Sequence, residues 1–115
     1  MRRLILFVEP SAAHVHIFSQ FTLPRLGVFI LAGLVNRRDA WEARVFIEGR
    51  ARFDLPLWIA DHGRPEAVGI STITPTVNRG YALADQCRAL GIPVLLGGPH
   101  VTFLPEEALG HADLV

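Results

Sequence analysis

The spacing of apolar and polar positions changes several times along the chain, and each change marks an element. Residues 4–8 form an unbroken apolar run with β-branched members, the pattern of a strand buried on both faces. Residues 43–47, 67–73 and 94–96 read as a second, third and fourth strand. Between the first two, Leu26, Val28, Phe29, Ile30, Leu31 and Leu34 predict a helix from Pro24 to about Arg38. It is apolar nearly all round, so the expectation is deep packing, with Gly27 and Gly33 allowing close approach to the sheet. Residues 53–60 predict a short, weak helix interrupted by Pro56, and residues 61–65 a turn. Thr74 as N-cap and Pro75 as first residue open a longer helix to Leu90, with Val77, Tyr81, Ala84, Cys87 and Leu90 on one stripe. Gly91 supplies a left-handed cap after it and Pro93 blocks continuation. Residues 105–109 open a short helix, and residues 112–115 look like the start of a fifth strand.

Strands that alternate with helices predict an α/β fold with a parallel, doubly wound sheet and right-handed crossovers. The sequence stops inside its fifth strand, before a helix that would cover that edge, so a fragment of a longer polypeptide is expected. With 115 residues, half of them apolar, the chain suits one domain and one core. Its formal net charge is zero, which argues against nucleic acid and an anionic membrane surface as partners. Every basic residue is Arg, so lysine-based chemistry is excluded. Cys87 is the only cysteine, which rules out an internal disulfide and a cysteine-built cluster. The longest apolar stretch, residues 26–35, is about half a membrane span, and the run at residues 4–8 is too short for a signal peptide. A cytoplasmic protein is expected.

In an open parallel sheet the ligand cleft lies beyond the carboxyl ends of the strands. Residues 10–24, 67–78 and 89–105, which supply those loops, contain no Asp, Glu or Arg. The opposite rim carries Arg37, Arg38, Asp39, Asp61, Arg64 and Glu66. A polyphosphate calls for cations or a glycine-rich helix start, and Mg²⁺ calls for carboxylates. The ligand-side rim offers hydroxyls, amides, glycines, His14, His16 and His100 instead. That set suits a bulky neutral molecule with many amides, or else loops buried beneath another domain.

Two segments stand out. In residues 69–76 (GISTITPT), Ser71 and Thr72 can present hydroxyls at the end of the third strand. In residues 97–100 (GGPH), the glycine pair permits either a tight exit from the fourth strand or close approach of a ligand to backbone. His14 and His16, at alternate positions, could face one way in an extended loop, as metal ligands or as solvated residues. Glu9 ends the first strand with no acidic neighbour, which disfavours a receiver-type Mg²⁺ pocket. Cys87 reads as a buried helix residue.

Residues 24–27 (PRLG) and 31–34 (LAGL) resemble the first helix of the cobalamin-binding domain found in front of many radical S-adenosylmethionine (radical SAM) enzymes. Residues 69–73 (GISTI) resemble that family's Ser-x-Leu element. Residues 93–102 (PVLLGGPHVT) with 104–107 (LPEE) are similar to its fourth-strand segment, the most specific part of the likeness. The resemblance spans essentially the whole chain. It implies a flavodoxin-like (Rossmann-like) doubly wound parallel sheet of about five strands in the order 2-1-3-4-5. It also implies bound cobalamin, its nucleotide tail beside the sheet near Ser71 and the Gly97-Gly98 pair and its corrin ring over the strand ends. Contacts would come from Ser11, His14, Ser71, Thr72, Thr74, Gly97, Gly98, Pro99 and His100. The chain departs from the Asp-x-His-x-x-Gly motif of cobalamin-dependent mutases and methionine synthase: residues 9–17 read EPSAAHVHI, so no protein ligand to cobalt is implied.

The radical-enzyme Cys-x-x-x-Cys-x-x-Cys motif is also absent. A 4Fe-4S cluster and S-adenosylmethionine would therefore belong to a following radical SAM domain, methyltransferase-like or cyclase-like, and this chain alone would be non-catalytic. Two alternatives stand beside this one. The first is a cofactor-free domain of the same fold that serves as an interaction module. The second is a flavin- or nucleotide-binding domain, which the first loop disfavours because it lacks a phosphate cradle.

Overall fold

The computed structural model describes residues 2–12, 26–49 and 51–115. Four strands, β1 (Arg3–Glu9), β2 (Trp41–Ile47), β3 (Ala67–Ser71) and β4 (Val94–Gly97), form an all-parallel sheet in the order β2-β1-β3-β4. Leu114 adds a parallel bridge to Leu95, with Leu96 N–H donating to Leu114 O at 2.9 Å. The fifth position thus lies beside β4, and the order 2-1-3-4-5 holds in a flavodoxin-like α/β fold. Asp113 anchors that start by accepting the Val94 amide on its carboxylate at 2.9 Å.

Five helices flank the sheet: α1 (Gly27–Asn36), α2 (Leu55–His62), α3 (Val77–Ala89), α4 (Pro99–Phe103) and α5 (Pro105–Leu109). The two-residue period of the strands divides the core between the two faces. Leu6, Val8, Val68, Ile70, Val94 and Leu96 pack with Leu55, Trp58, Leu83, Ala84 and Cys87. On the other face Phe7 and Ala43 pack with Val28 and Ala32 of α1. Burial pushes the Cys87 thiol up to about 11, so Cys87 behaves as a small hydrophobe.

Several sequence expectations are corrected. Helix α1 is packed on one side only. Val28 and Ala32 are buried, whereas Leu26, Phe29, Ile30, Leu31 and Leu34 are exposed, because one helix on one sheet face offers just one stripe to it. Among the described residues nothing lies within 4 Å of a Cβ built on Gly27 or Gly33, so neither glycine serves a close approach to the sheet. The close approaches are elsewhere. The Phe7 ring lies over Gly69, and the Thr72 methyl faces Gly80 of α3. Pro56 does not interrupt α2. It sits in the first turn, where a missing N–H costs no helical bond, and Asp54 caps that turn by accepting from Leu57 N–H at 3.0 Å.

Strand β3 stops at Ser71, two residues short of the expected end; the Thr72 amide still donates to Gly97 O, and the chain then enters a 3₁₀ turn at Thr74. Thr74 is not an N-cap. Residues Thr74–Thr76 form a 3₁₀ turn whose first amide, Ile73 N–H, donates to Thr76 Oγ1 at 3.0 Å. The expected cap at the far end of α3 is present. Gly91 adopts φ +73°, its N–H donates to Arg88 O, and Ile92 N–H reaches back to Cys87 O. Leu90, however, leaves the buried stripe and is exposed. At the sheet edge, Asn36 exchanges hydrogen bonds with the backbone of Ala43, blunting β2. No helix among the described residues is long and apolar enough to cross a membrane.

Candidate functional site

The carboxyl ends of the strands carry Glu9 on β1, Ser71 on β3 and Gly97 on β4. Ser71 and Gly97 are register partners in adjacent strands, so the strand period puts both on the face that α1 shares with Phe7. Ser71 is half-buried and Gly97 is exposed, and no atom lies within 4 Å of a Cβ built on Gly97. Among the described residues, nothing screens the Gly97 backbone at this corner.

Gly98 differs from its neighbour. At φ +105° it occupies a conformation that L side chains rarely adopt, and its built Cβ would clash with the Thr72 carbonyl oxygen. The chain's own backbone constrains Gly98, which is the tight exit from β4 that the glycine pair allows. Thr72 is fully buried. Its N–H donates to Gly97 O at 2.9 Å, and its hydroxyl faces the same oxygen at 3.4 Å. Thr72 therefore sits on the inner side of the β3–β4 junction, away from the rim.

Gly98 leads straight into α4, a helix the sequence pattern did not show because Pro99 and His100 look like loop residues after a glycine pair. Pro99 takes its first turn, and Gly98 O accepts from both the amide and the hydroxyl of Thr102, at 3.1 and 2.8 Å. This geometry carries His100 to Thr74, with Thr74 Oγ1 and His100 Nδ1 3.1 Å apart. His100 Nε2 lies 3.0 Å from Glu107 Oε2 of α5, and Tyr81 OH donates to the same oxygen at 2.7 Å. Tyr81 also stacks on His111 at 4.1 Å between centroids, and His111 Nδ1 is 2.8 Å from Asp85 Oδ1.

A second polar cluster ties the opposite side of the rim. Glu48, just past β2, is buried. Its carboxylate accepts from Arg79 Nη2 at 2.8 Å, from Phe53 N–H at 2.7 Å and from Ser11 N–H at 3.1 Å. Arg79 also donates to Phe53 O at 3.1 Å. Burial alone would raise the Glu48 carboxyl, but the Arg79 hydrogen bond, the two amides and the Arg79 charge together hold it below its ordinary value. A cleft of about 350 Å³, lined by Arg52, Phe53, Asp54, Leu55, Arg79 and Gln86, opens beside the pair. The expectation of a rim without charge is corrected here: Glu48, Arg79 and Glu107 reach it from segments outside the three uncharged loops.

The structure thus joins Ser71 to Gly97, and Thr74 to His100. It turns Thr72 and Gly98 to structural work and leaves Pro99 exposed at the start of α4. Ser11 is exposed and pinned through its backbone to Glu48. His14 and His16, and the expected helix start at Pro24, lie outside the described residues. No cluster of His, Cys, Asp and Glu among the described residues could hold a metal ion. Sequence reasoning missed Glu48, Arg79, Tyr81 and Glu107 as a polar framework, since their partners are 26 or 31 positions away.

The family model for the B12-binding domain matches residues 17–115. The chain belongs to the B12-binding domain family. Its cofactor class is therefore cobalamin, which replaces the flavin or nucleotide alternative. Among curated relatives, the bacteriochlorophyllide d C-8(2)-methyltransferase of Chlorobaculum tepidum is 45% identical over 53 residues, covering 46% of this chain and 12% of that protein. An uncharacterized methyltransferase of Pyrococcus horikoshii is 29% identical over 109 residues, covering 90% of this chain and 23% of that protein. The B12-binding domain described here thus spans less than a quarter of the length of either relative.

The residues present fit a cobalamin. The Ser71–Gly97 corner combines a hydroxyl with backbone that a side chain does not screen. The buried Glu48–Arg79 pair compensates its own charge, so a large ligand of low charge meets no unbalanced ion from that pair.

Proposed function

We propose that this chain is the cobalamin-holding module of a longer radical SAM enzyme of methyltransferase-like or cyclase-like type. The observation that carries the proposal is the open Ser71–Gly97 corner at the carboxyl ends of β3 and β4, in a chain of the B12-binding family. Methyltransferase relatives several times longer than this chain support a catalytic partner domain in the parent protein. That domain would carry the 4Fe-4S cluster and S-adenosylmethionine. Bound cobalamin supplies a cobalt centre suited to methyl transfer. The chain's own part is to hold it: Ser71 offers a hydroxyl, Gly97 exposes backbone, and Thr74 and His100 close the β4 side.

Cobalamin is held base-off in this proposal, because a nucleotide tail seated at the Ser71–Gly97 corner is detached from cobalt. Titration with hydroxocobalamin, followed by gel filtration and the corrin absorption bands, tests the module. Stoichiometric retention is expected, and its absence favours the cofactor-free interaction module. Electron paramagnetic resonance of the Co(II) form tests the base-off state. No nitrogen superhyperfine splitting is expected. A splitting that vanishes in His14→Ala or His16→Ala would assign a histidine ligand instead.

A further inference from the structure

Thr74, His100, Glu107 and Tyr81 form a single file of hydrogen bonds running from the exposed rim into the space between α3 and α5. The direction of each proton along it follows from the chemistry of its inner end. Burial first, and the Glu107 carboxylate second, push the Tyr81 phenol up to about 12, so it stays protonated and donates. The hydrogen bonds from Tyr81 and His100 hold Glu107 below the usual carboxylate value, so it stays ionised. An ionised carboxylate only accepts. The proton between Glu107 and His100 therefore belongs to Nε2. In a neutral imidazole Nδ1 is then a bare lone pair, and the proton between it and Thr74 must come from the threonine. Thr74 has a single hydroxyl proton and commits it to His100. Towards the exposed rim it has lone pairs alone.

We propose that His100 and Glu107 fix Thr74 as a hydrogen-bond acceptor, and that Thr74 thereby makes this corner select an amide N–H of a corrinoid over a carboxylate at the same place. The inference rests on the cobalamin reading above. Among the described residues, the groups that face His100 are Glu107 from α5 and the Tyr81 ring edge from α3, at 6.4 Å between centroids. Behind Tyr81 stand His111 and Asp85. The 3₁₀ turn and α4 contribute no charged group, since residues 67–78 and 89–105 hold no Asp, Glu or Arg.

The test compares hydroxocobalamin with cobalamin monocarboxylates, each with one side-chain amide hydrolysed, by equilibrium dialysis. One monocarboxylate should bind roughly tenfold or more weakly than the amide. Thr74→Val should erase the gap and Glu107→Gln should reduce it. In the ligand-free protein, nitrogen-15 shifts should report the Nε2–H tautomer of His100. An Nδ1–H tautomer, or an equal gap in wild type and Thr74→Val, overturns the inference and leaves the cobalamin reading standing. Failure of the wild type to bind any corrinoid overturns both.

Discussion

Glu48 and Glu107 are both carboxylates gripped by a donor from α3, Arg79 in one case and Tyr81 in the other, and their surroundings then diverge. Glu48 is buried and collects donors from three segments, all from this chain. Glu107 is exposed, and the file it starts runs through His100 to a hydroxyl at the rim. A saturated buried cluster acts on folding, because every member loses its water and needs its partner. A file that ends on an exposed hydroxyl acts on what arrives from outside. Two clusters of similar composition at one end of one sheet thus do different work, decided by where the last hydrogen bond points.

The most damaging change should be at the root of the open file. Gly98→Ala places a methyl against the Thr72 carbonyl in a strained conformation, and soluble expression should fall steeply. The neighbouring Gly97→Ala, with open space around its Cβ, should melt within a degree or two of wild type, a shift of about 0.5 kcal/mol at most. Arg79→Met should come next. It strands a buried carboxylate and should cost about 3–5 kcal/mol in urea unfolding, whereas Glu48→Leu with Arg79→Met should recover part of that loss. An unchanged midpoint in Arg79→Met would place the closed cluster outside the folding core.

Acid gives the third contrast. Glu48 has its folded-state value lowered, so its contribution is fully present above the unfolded carboxylate range and is lost as pH falls through the lowered value. Wild type and Arg79→Met should therefore converge in stability as pH falls below the ordinary carboxylate range and through the lowered Glu48 value. A difference constant down to strong acid would exclude linkage through Glu48. Apart from the Gly97→Ala control, the smallest effect should be Tyr81→Phe, about 0.5–1.5 kcal/mol in thermal or urea unfolding, because water can replace the phenol at the exposed Glu107.

The same contrast explains what was legible in the sequence. Parallel order, the Gly91 cap and the buried Cys87 follow from periodicity and local turn chemistry, which act over a few residues. The Ser71–Gly97 corner was legible too, since strand ends define it. Helix α1 was misjudged because an apolar composition states how much surface needs cover and not whether cover is present. Pro56 and Thr74 were misassigned for a finer reason. A proline in a first turn and one in a helix interior look alike until the cap, here Asp54, is located. The Thr76 hydroxyl bonds back to Ile73 and the Thr74 hydroxyl turns to His100, so neither side chain caps α3. Glu48–Arg79 and His100–Glu107 were not legible at all, because a pairing across the fold leaves no trace in local spacing. Gly98 was legible as a position that needs glycine, and the structure supplies one cause within the chain, the Thr72 backbone.

One carboxylate takes the amides of Ser11 and Phe53 and the guanidinium of Arg79, so the start of one loop, the approach to α2 and the body of α3 share a single fastening. If any of them lets go, the other two are left holding a poorly satisfied buried charge. Their openings should then be one event rather than three. In hydrogen-exchange terms, the Ser11 and Phe53 amides, both outside regular secondary structure, should exchange as slowly as each other and in step with the first turns of α3, a cooperative unit that cuts across the elements.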